Sequence, residues 1–216
     1  YDEEKRTIVS LEQIPDHLKQ AVIAAEDADF YSHFGLDFRG IARSILNDLK
    51  TGKTTYGGST ISQQLIRSSF LSLDKTVTRK VKEIILTLEL ERRYSKDQIL
   101  EFYLNQVPFG SNAYGVEAAS QTYFNKDVSH LSLAQGALLA SLIQGPSRLS
   151  PYGGNKEALL IRKDYVLDRM VQDSYISKEQ AEEAQGEVLE FAEVRSPIKA
   201  PHFVLYVKGQ LVEKYG

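Results

Sequence analysis

The sequence has 216 residues and a mass of 24.3 kDa, enough for one domain with a substantial core. Apolar residues make up 42% and charged residues 25%, a globular balance that excludes a disordered tail, a collagenous repeat and a coiled-coil rod. The net charge of −3 argues against a protein that binds nucleic acid through overall basic charge, and the lack of cysteine excludes disulfides, thiolate metal sites and a cysteine nucleophile.

Helical periodicity dominates the chain and predicts a mainly α fold with one core. Apolar residues spaced as on one face of a helix follow Pro15 at Leu18, Ala21, Val22 and Ala25. The same spacing predicts a second helix with a core-facing apolar side at Val81, Ile84, Ile85 and Leu88. Ser-x-x-Gln capping boxes predict further helix starts after Ser95, Ser132 and Ser177. Residues 156–171 form another amphipathic segment, and Phe203–Val207 is the best candidate strand.

Two stretches break this pattern and suggest how the chain is divided. Residues 51–60 carry three glycines and five Ser or Thr, which predicts a mobile loop leading into a helix. Two prolines four residues apart, Pro197 and Pro201, predict a linker or domain edge. We therefore expect one domain over residues 1–192 and a linker over residues 193–216.

Positive charge is concentrated in one segment. Between Arg39 and Arg93, eleven Lys and Arg stand against five Asp and Glu, so that this segment has a charge of +6 and the remainder −9. A basic segment in an acidic protein indicates an anionic partner such as phosphate, pyrophosphate or a lipid headgroup, although a solvated helix face gives the same pattern.

Three groups of residues could carry chemistry. Glu26 ends the first predicted helix among apolar neighbours, where lost solvation would raise its pKa toward that of a general base. Residues 57–64 form a glycine-rich turn into a helix start, which suits an anion. Arg79 and Lys80 flank Glu83 at helical spacing, either as a binding site or as a surface ion pair.

Four motifs occur in order, and together they resemble the peptidoglycan glycosyltransferases, glycosyltransferase family fifty-one, of class A penicillin-binding proteins. They are Glu26-Asp-x-x-Phe30-x-x-His33-x-Gly35, Gly57-Gly-Ser-Thr-Ile-x-Gln-Gln64, Arg79-Lys-x-x-Glu83 and Lys96-x-x-Ile-Leu-Glu-x-Tyr-Leu-Asn105. A fifth, looser match is Arg162-Lys163 ahead of Val166-Leu167, where the family has paired arginines. The resemblance covers about residues 11–184 and implies a lysozyme-like larger lobe with a smaller, membrane-facing lobe.

The resemblance also implies a reaction in bacterial cell-wall synthesis. Lipid II would be polymerised into β-1,4 glycan strands with inversion at the donor anomeric carbon and release of undecaprenyl pyrophosphate. Glu26 would take the proton of the acceptor 4-hydroxyl, while Glu83 would either orient the cations or hold a divalent metal, Mg or Mn. Asp27 and His33 would support Glu26 and the turn that follows it. The substrate-binding residues that the resemblance implies are Asp27, Phe30, His33, Gly58, Ser59, Thr60, Gln63, Gln64, Arg67, Lys75, Arg79 and Lys80.

The implied partners are lipid II, the growing strand, the membrane surface, phosphoglycolipid inhibitors such as moenomycin, and a transpeptidase domain in the full-length chain, with no nucleic acid. The implied location is the extracytoplasmic face of the bacterial inner membrane, with an anchor upstream of Tyr1. Leu36–Leu49 with Thr51–Tyr56 is interpreted as a mobile membrane-side flap, or alternatively as apolar packing on the other lobe. The alternative functions are a lysozyme-like lytic transglycosylase or muramidase, and a non-catalytic glycan- or partner-binding module.

Overall fold

The structure is a computed structural model, and it describes residues 7–38, 58–70 and 76–193 together with four residues near the C-terminus, at positions 207, 210, 211 and 214. Lys75, the Thr51–Tyr56 loop and the flap stretch from residue 39 onward lie outside the described residues. Val207, which ends the predicted strand, is helical, so the strand prediction is wrong at this residue.

The described part of the chain is mainly helical, as predicted. The α-helices with defined bounds are α1 (Asp16–Glu26), α2 (Ile61–Phe70), α3 (Val77–Arg93), α4 (Lys96–Gln106), α5 (Val116–Phe124), α6 (Leu133–Ile143), α7 (Lys156–Gln172) and α8 (Lys178–Gly186). Short 3₁₀ turns cover Leu11–Gln13 and Val128–His130. One antiparallel pair, β1 (Pro108–Gly110) with β2 (Ala113–Tyr114), connects α4 to α5.

Local capping determines where several helices begin. The side chains of Ser95, Ser132 and Ser177 each accept a hydrogen bond from the backbone N–H three residues later, and the glutamine there returns one to the cap. These reciprocal bonds satisfy amides that the helix itself leaves without partners. All three predicted capping boxes are therefore confirmed.

Helix α6 lies at the centre of the core. Every residue from Ala134 to Ile143 is buried, and α6 packs against both α1 and α7. Leu18, Ala21 and Val22 of α1 are fully buried in the same cluster, as the apolar spacing predicts. The core thereby holds α1 firmly, and Glu26 is the last residue of that helix.

Helix α3 has the opposite orientation from the one that its apolar spacing predicts. Its buried residues are all polar, namely Glu83, Thr87 and Glu91, whereas Val81, Ile85 and Leu88 are 50%, 60% and 38% exposed and Ile84 is only half-buried. The prediction that this apolar side enters the core is wrong. The physical reason is that polar partners on α2, on α4 and on α3 itself bind the two buried carboxylates, Glu83 and Glu91, and so offset the cost of removing these charges from water.

Gly35 lets the polar side of α3 approach the turn after α1. Its φ is +78°, and a Cβ atom there would lie 2.9 Å from Thr87 Cγ2 and 3.0 Å from Glu91 Cγ. A glycine is the only residue that combines this backbone conformation with such close packing at low cost. The described residues contain no helix with the length and hydropathy needed to cross a bilayer.

Candidate active site

Glu26 is a desolvated carboxylate at the C-terminal end of α1. Its side chain is half-buried, and Gln64 of α2 donates a hydrogen bond from Nε2 to Glu26 Oε2 at 2.9 Å. Burial raises the pKa of Glu26, while the Gln64 hydrogen bond and the charges of Arg162 and Arg67 oppose that rise. The carboxylate is thus a stronger base than a solvated glutamate, yet its ionised form has dedicated partners.

Asp27 connects the end of α1 to the start of α2. Its Oδ1 lies 2.8 Å from His33 Nε2, and its Oδ2 accepts a hydrogen bond from the backbone N–H of Ile61 at 3.0 Å. Asp27 is 7% exposed, so both contacts are made inside the protein. The carboxylate therefore fixes the first turn of α2 next to Glu26 and holds the turn that carries His33.

The predicted anion-binding turn divides into an accessible part and a buried part. Gly58 is exposed and Ser59 is half-buried. Thr60 and Gln63 are buried and cap α2 reciprocally, since Gln63 N–H donates to Thr60 Oγ1 at 3.2 Å and Thr60 N–H donates to Gln63 Oε1 at 3.1 Å. The Thr60 hydroxyl itself donates to the Gly35 carbonyl at 2.7 Å. Thr60 and Gln63 thus shape the helix start, while Gln64 reaches the carboxylate of Glu26.

Glu83 is a fully buried carboxylate held by two cations of its own helix. Arg79 Nη1 donates to Glu83 Oε2 at 3.3 Å, and Lys80 Nζ is paired with Glu83 Oε1. The side chain of Glu83 is 0% exposed, whereas those of Arg79 and Lys80 are 16% and 44% exposed. Glu83 thus fixes both cations at one place on the helix, and the half-exposed ammonium of Lys80 remains accessible to an anion.

A second buried acid connects the neighbouring helices. Glu91 Oε1 accepts hydrogen bonds from Ser62 Oγ at 2.5 Å and from Lys96 Nζ at 2.8 Å. The Lys96 ammonium also lies 4.5 Å from the centroid of the Phe30 ring. Phe30 is 0% exposed, so its ring supports the turn after α1 from within the core.

The other cations of the predicted motifs do not share the buried ion pair of Arg79 and Lys80 with Glu83. Arg67 is exposed on α2, and its charge acts on Glu26, consistent with a position at the site. Lys75 lies outside the described residues. The Lys163 ammonium of the fifth motif is buried and donates to the carbonyls of Ala184 and Gln185, so it caps the end of α8.

Two residues near Glu26 were absent from the predicted site. Tyr103 of α4 donates from its hydroxyl to Gln64 Oε1 at 2.9 Å, and Arg162 of α7 exerts its charge on Glu26. Sequence periodicity assigns Tyr103 to the apolar face of α4, which is correct for its ring but not informative about its hydroxyl. The sequence feature that could have identified Tyr103 and Arg162 is their position within the fourth and fifth motifs.

The described residues do not fit a protein-held divalent metal at Glu83. Both oxygens of that carboxylate are bound to Arg79 and Lys80, and no group of three His, Asp or Glu side chains in residues 7–38, 58–70 and 76–193 could hold a metal ion. Magnesium and manganese take several oxygen ligands, often including substrate phosphates.

Comparison with known proteins identifies the family. A family described as Transglycosylase matches residues 1–171. The chain is 42% identical over 213 residues to penicillin-binding protein 1A of Aquifex aeolicus, covering 99% of this chain and 29% of that protein. It is 44% identical over 207 residues to penicillin-binding protein 1F of Bacillus subtilis, covering 94% of this chain and 28% of that protein.

A solved structure agrees with these sequence matches. The crystal structure of penicillin-binding protein 1A from Haemophilus influenzae matches 99% of this chain with a TM-score of 0.57 and 25% identity, and the match covers 22% of that chain. This sequence therefore spans less than a third of the length of these relatives. The chain belongs to the transglycosylase family, as a peptidoglycan glycosyltransferase domain homologous to those of class A penicillin-binding proteins.

Proposed function

We propose that this domain polymerises lipid II into β-1,4 glycan strands, with inversion at the donor anomeric carbon and release of undecaprenyl pyrophosphate. The observation that carries the proposal is Glu26, a desolvated carboxylate that accepts a hydrogen bond from Gln64 and belongs to a site that also contains accessible cations. Glu26 accepts the proton of the acceptor 4-hydroxyl as that oxygen bonds to the anomeric carbon. The bond from this carbon to the pyrophosphate oxygen breaks, and its electron pair leaves with the pyrophosphate.

Positive charge replaces a general acid at the leaving group. A pyrophosphate is already a stable anion, so its departure needs charge stabilisation more than protonation. Lys80 and Arg79 present their charges on α3, and α3 packs against α2, whose first turn lies beside Glu26. Arg67 on α2 adds a further cation near the carboxylate. Metal dependence remains a prediction, tested by chelating divalent cations in the same assay.

The decisive experiment is glycan-strand analysis after the protein is mixed with lipid II in detergent. Polymerisation predicts products that lengthen with time and carry β-1,4 linkages. Incubation with preformed strands should leave their length unchanged, because a lytic transglycosylase would shorten them. Failure to consume lipid II under conditions where the protein is folded would contradict the proposal.

The Lys80 ammonium should bind the pyrophosphate mimic of phosphoglycolipid inhibitors. We expect Lys80→Ala to weaken inhibitor affinity roughly tenfold or more, because one charge-assisted hydrogen bond contributes roughly 1.5–3 kcal/mol. Fluorescence anisotropy with a labelled inhibitor measures this effect. The control is Lys82→Ala, which removes the same charge from an exposed position on the same helix. Equal losses in both variants would mean that only the general charge of the segment acts.

The exposed apolar side of α3 is evidence for the proposal that this part of the domain faces a membrane. Val77, Val81, Ile85 and Leu88 are exposed along this side, and Phe70 at the end of α2 is 71% exposed. Contiguous exposed apolar surface next to basic residues is typical of proteins that lie on a bilayer. We propose that this surface, termed here the α3 apolar face, lies on the extracytoplasmic side of the inner membrane.

The α3 apolar face should contribute directly to membrane affinity. We expect Ile85→Asn to weaken binding to anionic vesicles roughly tenfold, because burying one such side chain in an apolar phase contributes roughly 1.5–3 kcal/mol. Co-sedimentation with vesicles measures the affinity. Val188→Asn is the matched control, since Val188 is 87% exposed but follows α8. Equal effects of the two substitutions would mean that α3 does not contact the membrane.

Residues 193–216 remain a predicted linker toward a transpeptidase domain. The family match ends at residue 171, while the relative from Aquifex aeolicus aligns over 99% of this chain and is covered to only 29% of its own length. We propose that the longer protein joins this domain to a transpeptidase domain through the 193–216 segment.

A further inference from the structure

Three polar side chains form a hydrogen-bonded chain that runs from the core to Glu26. The Tyr103 hydroxyl donates to Gln64 Oε1 at 2.9 Å, and Gln64 Nε2 donates to Glu26 Oε2 at 2.9 Å. The three residues come from α4, α2 and α1, so the arrangement exists only when these helices are packed together. Tyr103 is 2% exposed, which shields its hydroxyl from competing water.

The Tyr103 hydroxyl helps to fix which end of the Gln64 amide faces Glu26, together with the Ser59 carbonyl, which accepts a longer hydrogen bond from Gln64 Nε2 at 3.4 Å. A glutamine amide can present either its N–H groups or its carbonyl oxygen to a neighbour. A phenol hydroxyl that donates to Oε1 commits this oxygen and directs Nε2 toward the carboxylate. Burial raises the pKa of Tyr103 well above its ordinary value, so the hydroxyl keeps its proton and remains a donor.

We propose that Tyr103 is a positioning residue for the proposed general base, acting through Gln64 to hold a hydrogen-bond donor against the Glu26 carboxylate. This inference rests on the proposed function of Glu26. Tyr103 need not touch the substrate, since its hydroxyl is buried and its hydrogen bond is to Gln64. Its role is to keep Glu26 ionised and aligned for the acceptor hydroxyl.

Three other charged residues also affect the pKa of Glu26. Arg67 of α2 and Arg162 of α7 lower the pKa of Glu26, whereas Asp27 raises it. Arg67 and Asp27 also act on Tyr103. A Tyr103→Phe substitution leaves all three charges in place, so a change in the titration of Glu26 reports the loss of the hydroxyl and its effect on Gln64.

The test is the pH dependence of lipid II polymerisation by Tyr103→Phe. Weakening a hydrogen bond to the ionised carboxylate should move the acidic limb of kcat/KM to higher pH by roughly one unit. Turnover below the limb should therefore fall roughly tenfold, since each unit of pH changes the ionised fraction tenfold there. KM for lipid II should not change. A limb at the wild-type position in a folded Tyr103→Phe protein would overturn the proposal.

Tyr123→Phe is the matched control for loss of a buried tyrosine hydroxyl. Tyr123 is 0% exposed and donates from its hydroxyl to the Phe109 carbonyl at 2.8 Å, on the β1 side of the core. Its removal should lower the melting temperature without moving the acidic limb. A limb shift of the same size in Tyr123→Phe would mean that general loosening, and not the Tyr103–Gln64 contact, controls the titration.

Gln64→Met provides an independent test that does not depend on Tyr103. This substitution removes the amide donor, so the acidic limb should rise at least as far as in Tyr103→Phe. Because both residues act through one contact, the double variant should show no more shift than Gln64→Met alone. Additive shifts, or an unmoved limb in Gln64→Met, would contradict the proposal.

Parallel measurement of Glu26→Gln separates this inference from the proposed function. If Glu26→Gln retains turnover and the acidic limb, Glu26 is not the base and the proposed function of this residue fails. If Glu26→Gln is inactive while neither Tyr103→Phe nor Gln64→Met moves the limb, only the positioning role fails.

Discussion

Glu26→Gln is expected to reduce lipid II polymerisation by roughly 10²–10⁴-fold, the usual contribution of a general base. The amide has nearly the same shape as the carboxylate but cannot accept the proton of the acceptor hydroxyl. Strand analysis by gel electrophoresis measures the loss. Near-normal turnover by this variant would remove Glu26 from its proposed role.

The control for this substitution is Glu117→Gln, a buried glutamate in another part of the core. Glu117 is 5% exposed, and its carboxylate accepts hydrogen bonds from the Val128 N–H and from Gln121 Nε2. We expect this variant to lose stability and keep turnover. Loss of turnover in both variants would indicate that any neutralised buried glutamate disrupts the fold.

Glu26→Gln should leave the protein at least as stable at neutral pH as the parent protein. The pKa of Glu26 in the folded protein is raised above its ordinary value of 4.5, so the unfolded chain ionises this group first as pH rises. The free energy of unfolding therefore falls as pH rises from about 4.5 through the higher pKa of the folded protein, because the folded state must then ionise a buried carboxyl group. A glutamine has no such loss. A lower melting temperature at pH 7 than in the parent protein would contradict this sign.

The largest expected effect on stability is at Glu83. Glu83→Ala should lower the free energy of unfolding by roughly 1.5–3 kcal/mol, because it removes the charge-assisted hydrogen bonds of a buried carboxylate, while the half-exposed ammonium of Lys80 can regain water. The carboxylate is 0% exposed and bound by Arg79 and Lys80, which then face each other without it. Urea denaturation followed by circular dichroism measures the change.

Helix α3 supplies its own control for the Glu83 prediction. Glu89 pairs with Arg92 and Arg93 at the same i,i+3 and i,i+4 spacing, but its side chain is 39% exposed. These neighbours lower the pKa of Glu89 to about 2, yet solvent screens the pairs, so Glu89→Ala should change stability little. Comparable losses at Glu83 and Glu89 would mean that burial of Glu83 has no special energetic role.

Interactions between residues close in sequence made much of this protein predictable from its sequence. The capping boxes at Ser95, Ser132 and Ser177 each join residues three positions apart, so their formation does not depend on the rest of the fold. Periodicity likewise predicts the buried side of α1 correctly, and it places Glu26 at the end of that helix. The motifs carry the family assignment for the same reason, since each is a short local pattern.

Tertiary packing decided what local patterns could not. The sequence around α3 has an apolar stripe and a polar row, and periodicity favours burying the stripe. The structure buries Glu83, Thr87 and Glu91 instead, because the polar row meets Ser62 of α2, Lys96 of α4 and the cations of α3.

The composition of the site depends on the same kind of contact. Tyr103 joins the site through Gln64, 39 positions earlier in the chain, and Arg162 acts on Glu26 from α7. Asp27 holds the backbone of Ile61 across 34 positions. Whether a side chain is buried with a partner or left exposed is a free-energy balance between desolvation and contacts distant in sequence, so only the packed helices determine it.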